Sequence, residues 1–316
     1  EMVAISWYPI NFFHLSFGQQ DMTRQILEAF DFSLETARIS GMATGKKLRQ
    51  ALRHQREKLQ LHRLLNYVPF RLLEPFFTNQ LRGVEDWKKN ELISHLVEQY
   101  FETVKPLYRF HLKGVNWYIE LHPEWHEYLK TNYSIIQGWT NWEWVKYLQA
   151  RNPNVPAIPN KLSPPTERTS LSKQTKYWQT VMEEEEIRCI YSGQTLNGRS
   201  FDLDHSLPWS FVCHDQLWNL IPIIPSVNSA KSNYLPSMEY LDLFINTQNR
   251  GLHISKNRYS SQSWDKVTES FVSDLRLTKK DLLLEEKVRK AYLATLPSML
   301  SLAEQTGFAP EWRYTQ

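Results

Sequence analysis

Cysteine is nearly missing: the 316 residues contain two, Cys189 and Cys213. Two cysteines so placed form neither a disulfide framework nor the paired C-x-x-C knuckles of a structural zinc site, and a reducing, cytoplasmic setting is the expectation. No run approaches the roughly 18 apolar residues of a membrane span, and no basic segment leads into an apolar one at the start, so no membrane partner is expected. Charge imbalance is small, 37 Lys+Arg against 34 Asp+Glu for a net +3. That permits a polyanionic partner without demanding one. Internal repeats, low-complexity tracts and a helix-turn-helix signature are all missing. What remains is an ordinary globular composition, 41% hydrophobic and 22% charged, with 12 Trp and 15 Tyr and enough length for two or three domains.

From about Gln19 to Leu65, apolar residues recur at three and four spacing, which predicts two helices separated at Gly41 and "ATGKK". The second, Lys46 to Leu65, sets Leu48, Ala51, Leu52, Leu59 and Leu65 near one face. Lys46, Lys47, Arg49, Arg53 and Arg56 crowd the rest. Such a face is either solvated or turned toward phosphates. "LLNYVPFRLLEPFF" (64–77) reads as a buried irregular connection, and Asp86 to Phe101 as a helix carrying Trp87, Leu92, Leu96 and Tyr100. Leu107 to Leu121 fits a short Gly-centred hairpin, and "TNWEWVKYLQARN" a helix begun by Thr140 as N-cap. Five prolines in "RNPNVPAIPNKLSPP" cannot continue a helix. They divide a mainly helical N-terminal domain, 1–150, from the rest of the chain, with 151–171 as a Pro-rich linker. In "SKQTKYWQTVMEEEEIR" a helix turns Tyr177, Trp178 and Val181 inward. Its successive glutamates point in different directions, which suits a solvated face and not a metal site. The last segment, 241–316, contains a helix from about Lys279 to Leu296 that Pro297 ends.

Chemistry concentrates in "FDLDHSLPWSFVCHDQLWNLIPIIPSVNSAKSN", 201–233. Asn197-Gly198 just before it is a hairpin signal between two β-like runs, and the second run delivers Asp204 and His205 at its end. "WNLIPII" is another β-prone run. Pro225-Ser226 then opens a short helix with Asn228, Lys231 and Ser232 on one face. Strand, loop, strand, helix is a ββα unit. A hard divalent cation takes oxygen ligands, and Asp204 with the amide oxygen of Asn228 supplies two, leaving positions for water and a phosphate. His205 beside them has the chemistry of a general base, Asn219 of the residue that tethers its loop, and Lys231 of a point charge for the phosphate. Taken singly, each has a structural reading: Asn219 as a turn former, Asn228 as a helix-end cap, and Trp209, Phe211 and Trp218 as core.

"DLDHSLPWSF", "WNL" and "NSAKSN", in this order, resemble the HNH nucleases (His-metal finger, ββα-metal). The likeness is strongest to the subgroup that includes the HNH domain of RNA-guided CRISPR effector nucleases, and "CIYSG" resembles the entry strand of that subgroup. The fuller "PWSFVCHDQLWNLIP" also looks like stand-alone bacterial HNH proteins with roles in restriction or phage defence. The resemblance implies a Mg²⁺- or Mn²⁺-dependent endonuclease that hydrolyses DNA to a 5′-phosphate and a 3′-hydroxyl. Asp204 and Asn228 would be metal ligands, His205 the base, Asn219 the middle Asn and Lys231 a further catalytic group. Asn228 stands where other members carry a final His, and the zinc knuckles of the wider family are missing. The expected fold is α+β, mostly α-helical: the helical N-terminal domain, a small ββα-metal nuclease domain at 172–240, and a helical C-terminal extension packing on it. DNA is the expected partner, held through Lys46, Lys47, Arg49, Arg53 and Arg56. A single finger cuts one strand, so a homodimer or a partner in a defence complex would be needed to cut two. The alternative is a DNA-binding or regulatory subunit whose finger stays inactive until activated.

Overall fold

The computed structural model describes residues 1–19, 21–32, 41–113, 116–164 and 170–315. Among them the chain is mostly helical, with two small two-stranded antiparallel sheets, an α+β architecture as expected. It divides into two compact units: unit 1 is Glu1–Ala4 with Phe17–Leu148, and unit 2 is Ile5–Ser16 with Gln149–Gln316. The first helix, α1 (Met2–Asn11), contributes to both.

Unit 1 continues with α2 (Met22–Glu28), whose first turn is capped by Asp21 accepting from the Thr23 N–H, and α3 (Gly41–His54). The expected break at "ATGKK" is not there. The helix runs through it because Leu48 and Leu52, one turn apart, are both buried, which outweighs the roughly 1 kcal/mol that Gly45 costs a helix. The same helix stops at His54 and not at Leu65, which is exposed after a turn at Gln60, φ 50°. Residues 33–40, where the first expected helix would end, lie outside the described residues. In α4 (Asp86–Gln99), Ile93, Leu96 and Val97 are buried. Trp87 is not, being 75% exposed with the Lys88 ammonium over its ring. Leu73 and Phe77 are sealed in this core, while Tyr67, Val68 and Leu72 of the same aromatic stretch are exposed.

The expected hairpin is present as β1 (Tyr108–Lys113) and β2 (Asn116–Leu121), paired from Tyr108 opposite Leu121 to Lys113 opposite Asn116. Gly114 and Val115 at its turn lie outside the described residues. Next come α5 (Pro123–Thr131) and α6 (Tyr133–Arg151). Thr140 is interior to α6 and not its N-cap, because its hydroxyl donates back to the Ile136 carbonyl, a bond compatible with helix.

The main apolar core of unit 2 is drawn from 177–308. In Ile5–Ser16, Trp7, Phe13 and Leu15 are buried too, and the His14 ring lies 4.6 Å from that of Phe308, a member of that core. In the Pro-rich stretch Asn152, Val155, Ile158 and Lys161 are buried. The Lys161 ammonium donates to the Phe211 carbonyl, and burial pulls its pKa down to about 8. Helix α7 (Ser172–Glu184) buries Tyr177, Trp178 and Val181, and its acidic end is a surface face: Glu183 and Glu184 pair with Arg258, and Glu185 with Arg250. Strands β3 (Asp202–His205) and β4 (Leu220–Ile223) form the second sheet, followed by α8 (Pro225–Lys231). The run before Asn197-Gly198 contributes only an isolated bridge, Arg188 to Thr195. The partner of β3 is therefore β4 and not the arm across that turn.

Around this small unit lie α9 (Leu241–Arg258), α10 (Ser261–Asp274) and α11 (Glu285–Gln305). Pro297 does not end α11. Leu296, Leu300 and Ala303 are buried on either side of it, so tertiary packing carries the helix past the lost N–H. Buried Gln248 of α9 donates to the Leu220 carbonyl and Tyr292 of α11 to that of Trp218, so α9 fastens onto β4 and α11 onto the end of the finger loop just before it.

Candidate active site

Strand β3 places alternate side chains on opposite faces, so Asp202 and Asp204 share one face. Helix α8 meets that face. Its Asn228 and Lys231, three residues apart, span about 4.5 Å of helix axis, and the two carboxylates, two residues apart, span about 6.6 Å of strand. The spacings are close enough for one-to-one pairing: Asn228 Nδ2 donates to Asp202 Oδ2 at 3.1 Å, and Lys231 Nζ to Asp204 Oδ1 at 2.9 Å. Lys231 is fully buried and donates again to the His205 carbonyl. Tyr191 OH donates to the other Asp204 oxygen at 2.9 Å, and its own ionisation is pushed well above the ordinary range by burial and by the Asp204 charge. Ser232, expected on the same helix face, lies beyond the end of α8 at φ 49°, where its backbone N–H caps the Asn228 carbonyl.

His205 ends β3, and its Nε2 lies 2.9 Å from Asp215 Oδ1. A carboxylate there accepts the Nε2 proton and leaves the lone pair of the neutral ring on Nδ1. Neighbouring His214 is biased toward the neutral form, because burial lowers its pKa more than nearby Asp274 raises it. The loop from Ser206 to Trp218 is closed at its neck by Asn219, which has no exposed surface. Its Oδ1 accepts the Leu207 N–H at 2.8 Å, its Nδ2 donates to the Leu207 carbonyl at 2.9 Å, and its own carbonyl accepts the Ser206 N–H. The two residues after the histidine are thereby held on three bonds. Phe211 and Trp218 are core, with the Trp218 indole N–H donated to Asp274.

Asp204, His205, Asn219, Asn228 and Lys231 thus lie together on the ββα unit, joined by Tyr191, Asp202 and Asp215, which sequence reasoning did not single out. Lys46, Lys47, Arg49, Arg53 and Arg56 belong to unit 1, where all five are exposed; Arg49 is bound to Glu1. Among the described residues no three His, Cys, Asp or Glu side chains are grouped to hold a metal ion. The donors on the β3–α8 face are two carboxylates and an amide oxygen, a hard-oxygen set that suits Mg²⁺ or Mn²⁺. Using the amide oxygen requires Asn228 to turn its Nδ2 away from Asp202.

Comparison with curated proteins and with solved structures gave no match. Residues 189–237 match the family model described as HNH endonuclease, which supports the HNH family for the ββα unit and nuclease activity as its general chemistry.

Proposed function

We propose that the chain is a metal-dependent endonuclease that hydrolyses DNA phosphodiester bonds at the ββα unit. The observation that carries this reading is the imidazole of His205, fixed at Nε2 by Asp215 one residue from the carboxylate of Asp204. In this reading Nδ1 of His205 takes the proton of the attacking water, and Asp215 stabilises the imidazolium that results. Asn219 positions the histidine through its loop. Asp204 and Asn228 would hold the Mg²⁺ or Mn²⁺ ion. When bound, that ion supplies charge stabilisation at the phosphoryl oxygen and the leaving 3′-oxygen. Lys231 holds Asp204 in place, since its ammonium is spanned between that carboxylate and the His205 carbonyl. The five cations of α3 follow the DNA backbone by charge, which makes unit 1, the greater part of 1–150, the recognition domain and 172–240 the nuclease domain, with 241–316 packed on it. The biological setting the resemblance implies is bacterial restriction or phage defence.

A second reading, a finger inactive until a signal arrives, is favoured by one feature. Both Asp204 oxygens already have partners, and Asn228 donates to Asp202 in place of presenting its oxygen.

The test is nicking of supercoiled plasmid with Mg²⁺, Mn²⁺ or EDTA by wild type, His205→Ala and Asn228→Ala. Metal-dependent nicking that falls by about 10²–10⁴ in His205→Ala supports the endonuclease. Wild type that binds DNA in EDTA, weakens with salt and never cuts supports the second reading.

A further inference from the structure

Helix α6 is apolar on two opposite faces. One is packed: Trp144 stands 6.5 Å from Phe17, the Tyr147 hydroxyl donates to the Phe17 carbonyl, and Leu148 is fully buried. Half a turn away Ile135, Trp139 and Trp142, at i, i+4 and i+7, form a second stripe that is 74%, 63% and 60% exposed. At Asn132, φ −104° and ψ 17°, the backbone leaves helical geometry between α5 and α6, so the stripe is confined to α6. From Tyr133 to Trp142 there is no charged residue. Gly138 lies on the edge of the stripe, with nothing within 4 Å of where a Cβ would be.

We propose that this face of unit 1 is a homodimer interface, with α6 packing antiparallel on α6 of a second copy. The lack of charge decides against a nucleic acid and against a membrane surface. A nucleic acid needs Lys or Arg against its phosphates, and a membrane-surface helix needs them along its polar face. A second copy fits by self-complementarity. A two-fold axis between Gly138 and Trp139 sets Gly138 against Trp139 of the second copy and Ile135 against its Trp142, so each indole fills the notch opposite an absent Cβ. No two like charges meet: the next position along the stripe, Lys146, is set by this axis against Thr131 of the second copy. A large side chain of this kind buries about 150–250 Å², so Ile135, Trp139 and Trp142, each more than half exposed, offer on the order of 400 Å². Two copies together then bury on the order of 800 Å² from these side chains alone, the small end of the range, which fits a weak, concentration-dependent dimer. This inference does not depend on what the ββα unit catalyses, and its test reads mass and not cleavage.

Sedimentation velocity of the 316-residue chain over about 1–100 µM is expected to show mass rising from 37.6 kDa to a plateau at twice that. Trp142→Glu and Gly138→Leu should each weaken the dimer at least about thirty-fold, as loss of a central Trp contact does. Trp87→Glu, exposed at 75% but outside the stripe, should leave it unchanged, and all three should keep the far-UV circular dichroism of wild type. A wild-type chain that stays monomeric over this range overturns the proposal. So does a dimer that Trp142→Glu leaves intact, or association that climbs past two copies without a plateau.

Discussion

Asn219 has no exposed surface, and both ends of its amide are committed to one residue, Leu207. Asn219→Ala strands a buried N–H and a buried C=O together, and each stranded group costs about 1–3 kcal/mol. Urea unfolding should therefore show a loss of about 2–4 kcal/mol, well above the usual cost of a point substitution. Asn219→Asp should rescue little of it, since the acceptor survives but a carboxylate oxygen then faces the Leu207 carbonyl. At this scale the grouping of the candidate site was legible. Asp204, His205, Asn219, Asn228 and Lys231 are all residues whose chemistry is rare in so apolar a run. Asp215 and Tyr191 were not legible, because they reach His205 and Asp204 from a loop ten residues on and a turn thirteen residues back. Asp202 could have been found, since the period-two alternation of a strand puts it on the face of Asp204.

Between elements, the ββα order was readable because strand, loop, strand and short helix each carry their own local signal. The longer helices were misread where a punctuating residue lies inside a buried stretch: Thr140 in α6, Gly45 in α3 and Pro297 in α11 all suggest boundaries that tertiary packing overrides. Gly251 in α9 is the converse, a helix glycine that packing demands. A Cβ there would come 2.9 Å from the Tyr177 hydroxyl and 3.2 Å from the Trp178 ring, and both side chains are completely buried on α7. Helix propensity alone would make Gly251→Ala stabilising by about 1 kcal/mol. Overpacking a closed core costs about 1–3 kcal/mol, and both rings are completely buried. The variant should therefore be net destabilised, with a lower denaturation midpoint and an unchanged m-value. A gain in stability would mean that α7 and α9 are less tightly joined than this geometry requires.

For the molecule as a whole, unit 2 takes Ile5–Ser16 from the far side of unit 1 in sequence, so the chain enters unit 2, leaves it and returns. Nothing in the pattern of 5–16 marks this, because an apolar N-terminal segment reads the same whichever core receives it. The return is fastened by a clamp of the same design as that of Asn219. Asn152 accepts the Ser16 N–H at 2.7 Å and donates to the Ser16 carbonyl at 2.8 Å, with 5% of its surface exposed. Asn152→Ala should cost about 2–3 kcal/mol by the same reasoning. Its location makes a sharper expectation for calorimetry. If each unit melts as its own cooperative body, Asn152→Ala must lower the transition that Asn219→Ala lowers, even though the contact it cuts is to residue 16. Phe77→Ala, in the buried core of unit 1, should lower the other transition by the about 3–5 kcal/mol of a lost core phenyl. Should Asn152→Ala follow Phe77→Ala instead, Ile5–Ser16 would belong energetically to unit 1, and the ββα unit would fold without it.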